Sequence, residues 1–178
     1  GISMSFIPED RLGMGLVASM GMADNLLLKR YKEGKTPFVE KKEARRLSKK
    51  LIEKLNIKTP GIDTPVRQLS GGNVQKVLLG REIESSPNVL ITAYAVRGLD
   101  INSSYTVYDN LNEQKKKGTG ILYIGEDLDV MLELCDRIMV LCHGKVTGIV
   151  DAKDVTKEQI GLLMTDAFGK EEDSDEQD

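Results

Sequence analysis

Two rhythms of apolar residues run through this chain. Ile2-Ser3-Met4-Ser5-Phe6-Ile7 predicts a strand, stopped by Pro8. Residues 9–25, EDRLGMGLVASMGMADN, carry three glycines and several methionines and predict a loop entering a helix near Asp24-Asn25. Over residues 39–56 the apolar positions Ala44, Leu47, Leu51, Ile52 and Leu55 fall at helical spacing, with a basic outer face. Pro60 and Pro65 punctuate a linker. A second helix is expected to start at Ser70-Gly71-Gly72 and run to about Glu84, with Val74, Val77, Leu78 and Arg81 on one face.

The rhythm then changes. Val89-Leu90-Ile91-Thr92-Ala93 predicts a strand buried on both faces, Ser103 to Lys117 a helix, and Ile121-Leu122-Tyr123-Ile124 a further buried strand. A helix around Leu128–Cys135 follows. Residues 138–141 and 145–150 flank Cys142-His143-Gly144 and predict a hairpin. Strands alternating with helices imply an α/β fold with a parallel sheet, interrupted between its first two strands by an all-α insertion.

Composition narrows the class. The chain has 178 residues with 40% hydrophobic residues, a mean hydropathy of -0.27 and no apolar run of spanning length. The start, Gly1-Ile2-Ser3-Met4, carries no basic or apolar leader, so no signal peptide is expected. Two cysteines, Cys135 and Cys142, lack metal spacing and are expected to be buried thiols in a reducing compartment. A net charge of -3 disfavours a nucleic-acid partner and divides unevenly. Lys29 to Lys54 is basic, whereas residues 169–178 are expected to form an acidic, disordered tail. Met14, Met20 and Met22 read as core filling.

The most specific segment is Arg67-Gln68-Leu69-Ser70-Gly71-Gly72-Asn73-Val74-Gln75-Lys76. Ser70 can cap the helix, and the two glycines let a large anion approach backbone N–H groups at the positive helix end. With FIPEDR near the start, ADNLLL, LSGGNVQK, VRGLD and IGEDLD in order, the chain resembles an ATP-binding cassette (ABC) domain. The finer resemblance is to the degenerate C-terminal cassette of the tandem ATPase subunits of simple-sugar and nucleoside importers.

That resemblance implies a RecA-like, P-loop NTPase core with a parallel sheet and a helical signature subdomain. Residues 1–21 and 86–168 would form the α/β part and 22–85 the subdomain. It implies an ATPase subunit on the cytoplasmic face of a membrane, working with a partner cassette, transmembrane permease subunits and, indirectly, a solute-binding protein. Leu69, Ser70, Gly71 and Gly72, helped by Gln75, would contact the partner cassette's γ-phosphate. Gly98, Leu99 and Asp100 match the D-loop at the dimer interface. Pro8, Glu9, Asp10 and Arg11 occupy the Q-loop region that couples to the permease.

Three departures from the family pattern set expectations for chemistry. No P-loop is present: Gly34-Lys35-Thr36 is only a fragment of one and does not follow a strand, so the chain is expected to begin inside the domain. At the end of the Walker B strand, Ala93 stands in the Asp position and Tyr94 in the Glu position. A methyl cannot hold Mg²⁺, and a phenol of pKa ~10 is a poor base at neutral pH. The switch-histidine position is Glu126, an acceptor-only carboxylate that would repel phosphate. His143, the single histidine, falls in the expected hairpin turn. No catalytic residue and no metal ligand are therefore assigned. ATP and Mg²⁺ belong to the full assembly, and the 178 residues alone are expected to hold neither. The alternative reading is a non-transport ABC module with a regulatory or scaffolding role.

Overall fold

In the computed structural model, residues 1–31 and 41–165 are described. Gly34-Lys35-Thr36 and the acidic tail lie outside them. The chain divides into two units, 1–124 and 125–178.

The first unit is built on three parallel strands, β1 (Met4–Ile7), β2 (Val89–Ala93) and β3 (Gly120–Ile124), in the order β1-β2-β3. Between β1 and β2 come α1 (Met22–Arg30), α2 (Lys41–Lys54) and α3 (Gly71–Glu84). Between β2 and β3 lies α4 (Ile101–Lys116). Parallel neighbours need such crossovers, and helices over the sheet are the usual solution.

Helix α2 forms where the periodicity places it. Ala44, Leu47, Leu51 and Leu55 are buried, while Lys41, Lys42, Arg45, Arg46, Lys49 and Lys50 stay in solvent. Arg45 makes two parallel bonds to the Asp63 carboxylate, at 2.7 and 2.8 Å. In α3, Val77, Leu78 and Leu79 are fully buried against the sheet and its flanking helices, each contributing roughly 1.5–3 kcal/mol of hydrophobic stabilisation. A charge cluster sits among them. Glu82 has no solvent exposure and accepts from Lys29 Nζ at 2.8 Å and Arg81 Nη2 at 2.7 Å.

The sheet corrects one expectation. Neither β2 nor β3 is buried on both faces. Ile7, Leu90 and Thr92 face α3 and α4 and are inaccessible. The register Phe6–Ile91–Leu122 aligns the other face, where Met4, Phe6, Leu122 and Ile124 are 64, 43, 47 and 40% exposed. Near-continuous apolar strands are a mark of sheets covered twice, but within this unit helices cover one face. The methionines also divide: Met22 is buried, but Met14 and Met20 are exposed.

The second unit packs α5 (Leu128–Leu134) and α6 (Lys157–Met164) on the antiparallel hairpin β4 (Arg137–Cys142) and β5 (Lys145–Asp151). Ile138, Val140, Ala152 and Ile160 form its core. His143 stands in the hairpin turn at a positive φ of 48°. The two thiols are half-buried rather than buried, and form no disulfide; Cys142 donates to the Met164 carbonyl. Among the described residues no helix is long and apolar enough to cross a membrane.

Candidate functional site: the start of helix α3

Ser70 occupies the N-cap position of α3, in extended conformation. Its hydroxyl does not cap the backbone, contrary to the simplest expectation. It accepts instead from Asn73 Nδ2 at 2.8 Å, and Asn73 Oδ1 accepts the Lys58 N–H at 2.8 Å. The Asn73 amide thus fixes the hydroxyl to the preceding loop, and Lys76 Nζ adds a bond to the Asn56 carbonyl. The N–H groups of the first turn remain uncapped by Ser70 and available as donors, at the end of the helix that carries partial positive charge. Leu69, half-buried, donates its N–H to the Val66 carbonyl at 3.1 Å.

The two glycines differ. Gly71 is exposed, and Arg11 Nη1 lies 3.8 Å from where its Cβ would be. Gly72 is buried, and a Cβ there would meet Ser103 Oγ at 2.3 Å and Asp100 Oδ2 at 3.3 Å. The close approach of α3 to the start of α4 therefore requires glycine at 72. Asp100 caps α4: Oδ1 accepts the Ser103 N–H at 3.0 Å, and Oδ2 accepts the Ser103 hydroxyl at 2.7 Å. These two bonds, the hydroxyl's above all, hold the Asp100 carboxyl below its ordinary pKa.

The turn after β2 completes the constellation. Ala93 pairs with Ile124 as the last residue of β2, and the Tyr94 N–H donates to the Ile124 carbonyl at 2.8 Å. Tyr94 has φ of 51°, a left-handed conformation uncommon for an aromatic residue. Its ring centroid lies 5.8 Å from the Arg97 guanidinium, and Arg97 Nη1 bonds Glu9 Oε1 at 2.7 Å. Gly98 takes a positive φ of 68° before Leu99 and Asp100. The turn after β1 lies on the same side: Pro8 is buried, Asp10 accepts the Gly13 N–H at 2.8 Å, and Arg11 reaches Gln75 Oε1 at 2.7 Å and the Arg97 carbonyl.

Thus Glu9 and Arg11 after β1, the α3 start with Gln75, and residues 94–103 make one connected cluster. Glu126 belongs to the second unit, exposed just before α5. Arg97, Asn73 and Ser103 all stand in segments that the sequence singles out, but no contact role for the first two is legible there. The Asp100-x-x-Ser103 spacing ahead of a helix was the available signal for the last.

The donor set at the α3 start, free backbone N–H groups and a hydroxyl, fits an anion. The end of β2 does not fit a divalent cation, since Ala93 and Tyr94 offer no carboxylate. Among the described residues no group of three His, Cys, Asp or Glu could hold a metal ion.

Solved structures share this architecture. The chain matches the structure of an ATP-binding subunit of an ABC transporter with TM-score 0.73 at 21% identity, over 92% of this chain and 68% of that one. It matches a dimeric ATP-binding cassette in a post-hydrolysis state bound to ADP and Pi with TM-score 0.72 at 17% identity, over 86% and 65%. The fold is that of an ABC ATPase cassette, of which this chain spans about two thirds.

Sequence comparison carries this further. The chain is 34% identical over 162 residues to the xylose import ATP-binding protein XylG of Moorella thermoacetica, covering 91% of this chain and 32% of that protein. It is 36% identical over 170 residues to the guanosine import ATP-binding protein NupO of Bacillus subtilis, covering 93% and 33%. It is 37% identical over 161 residues to the ribose import ATP-binding protein RbsA of Clostridium perfringens, covering 89% and 32%. No family model matches. The chain is an ABC ATPase cassette sequence homologous to sugar and nucleoside import ATP-binding proteins, and spans about a third of their length.

Proposed function

We infer that this chain is part of the C-terminal, degenerate cassette of a tandem ABC importer ATPase for nucleosides or simple sugars. Its role is to present Leu69, Ser70, Gly71 and Gly72 to ATP held by a partner cassette, and to pass the closure that follows to transmembrane permease subunits served by a solute-binding protein. Its place is the cytoplasmic face of the membrane. Residues 1–21 and 86–168 act as the α/β part and 22–85 as the signature-bearing helical part.

The observation that carries this reading is the α3 start. Its first-turn N–H groups are left without a cap from Ser70, and Asn73 orients the hydroxyl. An anion at that point would meet several donors and the positive helix end. Asp100, as a D-loop residue, backs the same turn through Ser103 and Gly72. When ATP and Mg²⁺ are bound in the assembly, they supply the phosphoryl transfer; the residues here only orient donors toward the γ-phosphate. Hydrolysis at this chain's own site is not supported. Ala93 lacks a metal-binding group and Tyr94 a basic one, and the family pattern's switch-histidine position carries Glu126, an acceptor-only carboxylate.

The test is Ser70→Arg in the full tandem subunit with its permease. A guanidinium at the α3 start blocks the partner's γ-phosphate, so ATPase activity is expected to fall at least about tenfold, in the range seen when transition-state donors are lost. Wild-type turnover in that variant refutes the in-trans role.

A further inference from the structure

Arg11 does more than line the turn after β1. Its Nε donates to Gln75 Oε1 at 2.7 Å and its Nη2 to the Arg97 carbonyl, so one planar guanidinium spans two segments 64 and 86 residues downstream. Gln75 stands one helical turn after Gly71, on the same face of α3, and Arg11 Nη1 also approaches the Gly71 Cβ position. A second link closes the ring. Arg97, whose carbonyl Arg11 holds, returns its own side chain to Glu9 Oε1 at 2.7 Å.

The physical consequence is stiffness. Gln75 is fully buried, so its side chain cannot exchange Arg11 for bulk water as an exposed amide would. The guanidinium is half-buried and carries a charge that needs acceptors on its donor edges; burial lowers its pKa even with Glu9 nearby. Removing it leaves the buried Gln75 Oε1 unpaired as well as Gln75 Nε2, which already has no partner. Each such orphan is disfavoured.

We propose that Arg11 is a positioning residue that joins the turn after β1, the start of α3 and the turn after β2 into one mechanical body, so that the orientation of Leu69–Gly72 follows the turn after β1. Arg11 contacts no phosphate in this scheme; it acts through Gln75 and Arg97. The functional consequence rests on the reading above, in which that turn faces the permease and the α3 start faces the partner's nucleotide. The mechanical claim does not rest on it.

Two measurements separate the claims. Amide hydrogen exchange is recorded on the full tandem subunit as wild type, Arg11→Gln and Arg11→Lys. Both variants lack the fork that reaches two acceptors at once. Exchange is expected to quicken about tenfold at Val74, whose N–H bonds the Ser70 carbonyl, and at Leu99, whose N–H bonds the Val96 carbonyl. Leu79 to Ile83, farther along α3, should keep wild-type protection and so report that the fold is intact. If Arg11→Gln loses that protection too, Arg11→Lys decides. Wild-type exchange at Val74 and Leu99 in Arg11→Lys overturns the proposal.

The second measurement is ATPase activity of the full tandem subunit with permease carrying Arg11→Lys. The expected result is a fall in kcat with KM for ATP within about twofold, since binding is left in place and orientation is lost. Quickened exchange with unchanged kcat keeps the mechanical claim and sinks the functional reading. A lowered kcat with unchanged exchange overturns the mechanical claim.

Discussion

Gly72→Ala tests the packing that fixes the candidate site. An alanine Cβ at 72 would stand 2.3 Å from Ser103 Oγ, 3.0 Å from Ser103 Cβ and 3.3 Å from Asp100 Oδ2. Carbon pairs prefer about 3.5–4.0 Å, so the Cβ contact alone demands a shift of several tenths of an ångström. Ser103 Oγ can escape only by giving up its 2.7 Å bond to Asp100, and its Cβ is fixed by α4. Overpacking of this kind costs typically ~1–3 kcal/mol, and three close atoms argue for the upper half of that range. Alanine returns up to ~1 kcal/mol of helix propensity. The net expectation is a loss of about 1–2 kcal/mol, or a fall in Tm of roughly 2–8 °C for a chain of this size. Thermal and urea unfolding followed by far-UV circular dichroism would read it. Placing the same change in a Ser103→Ala background removes the 2.3 Å contact and should recover part of the loss. A Gly72→Ala protein as stable as wild type, or more so, would refute the packing argument.

Three further outcomes follow from the structure. Glu82→Ala strips the fully buried partner of Arg81 and Lys29 and should cost about 3–5 kcal/mol in urea unfolding; a loss under about 1 kcal/mol contradicts the buried-pair account. Gln75→Glu should be tolerated while Arg11 is present, because the new carboxylate meets a guanidinium. In an Arg11→Gln background it leaves a buried charge unpaired, so a double-mutant cycle should give a coupling of at least about 2 kcal/mol, and additive effects would disprove the contact. Asp100 has a depressed folded pKa, so its share of stability is present above its unfolded value near 3.8 and is lost as pH falls through the lower folded value. Asp100→Asn should flatten the part of the acid unfolding profile below about pH 4; an unchanged profile rules out the capping carboxylate as its source.

Much of the fold was legible because periodicity reports burial directly. The predicted helix over residues 39–56 is α2, the helix from Ser70 is α3, and the hairpin around His143 is β4–β5, each within a few residues. Local signals outside that periodicity were harder to read. The π-helical turn Arg11–Gly15 is closed by the Gly15 and Leu16 N–H groups on the Asp10 and Arg11 carbonyls, and the Asp10 side chain caps it in a glycine-rich stretch without apolar periodicity. Helix α6 went unpredicted although Thr156 and Gln159 form a capping box ahead of it. Within the first unit only one face of β2 and β3 is covered: an apolar run shows what a strand could cover and not what covers it, and this chain spans about two thirds of the cassettes it matches. At the site, the glycines at 71 and 72 were visible in sequence. Their different neighbours were not, because Arg11 and Ser103 meet them only through tertiary packing.

The Arg11 ring also sets an order in time. Its two acceptors lie 64 and 86 residues downstream, whereas the α3 turns themselves close over four. During synthesis at about 5–20 residues per second, roughly 4–17 s separate Arg11 from Arg97. Helix α3, with its first turn tied to Asn56 and Lys58 and its Gln75 to Arg11, has all of those partners in the chain before Arg97 is added. The ring itself closes only when β2 has joined β1 and delivered the Arg97 carbonyl, so the link between the two turns is made later than the local contacts of the α3 start.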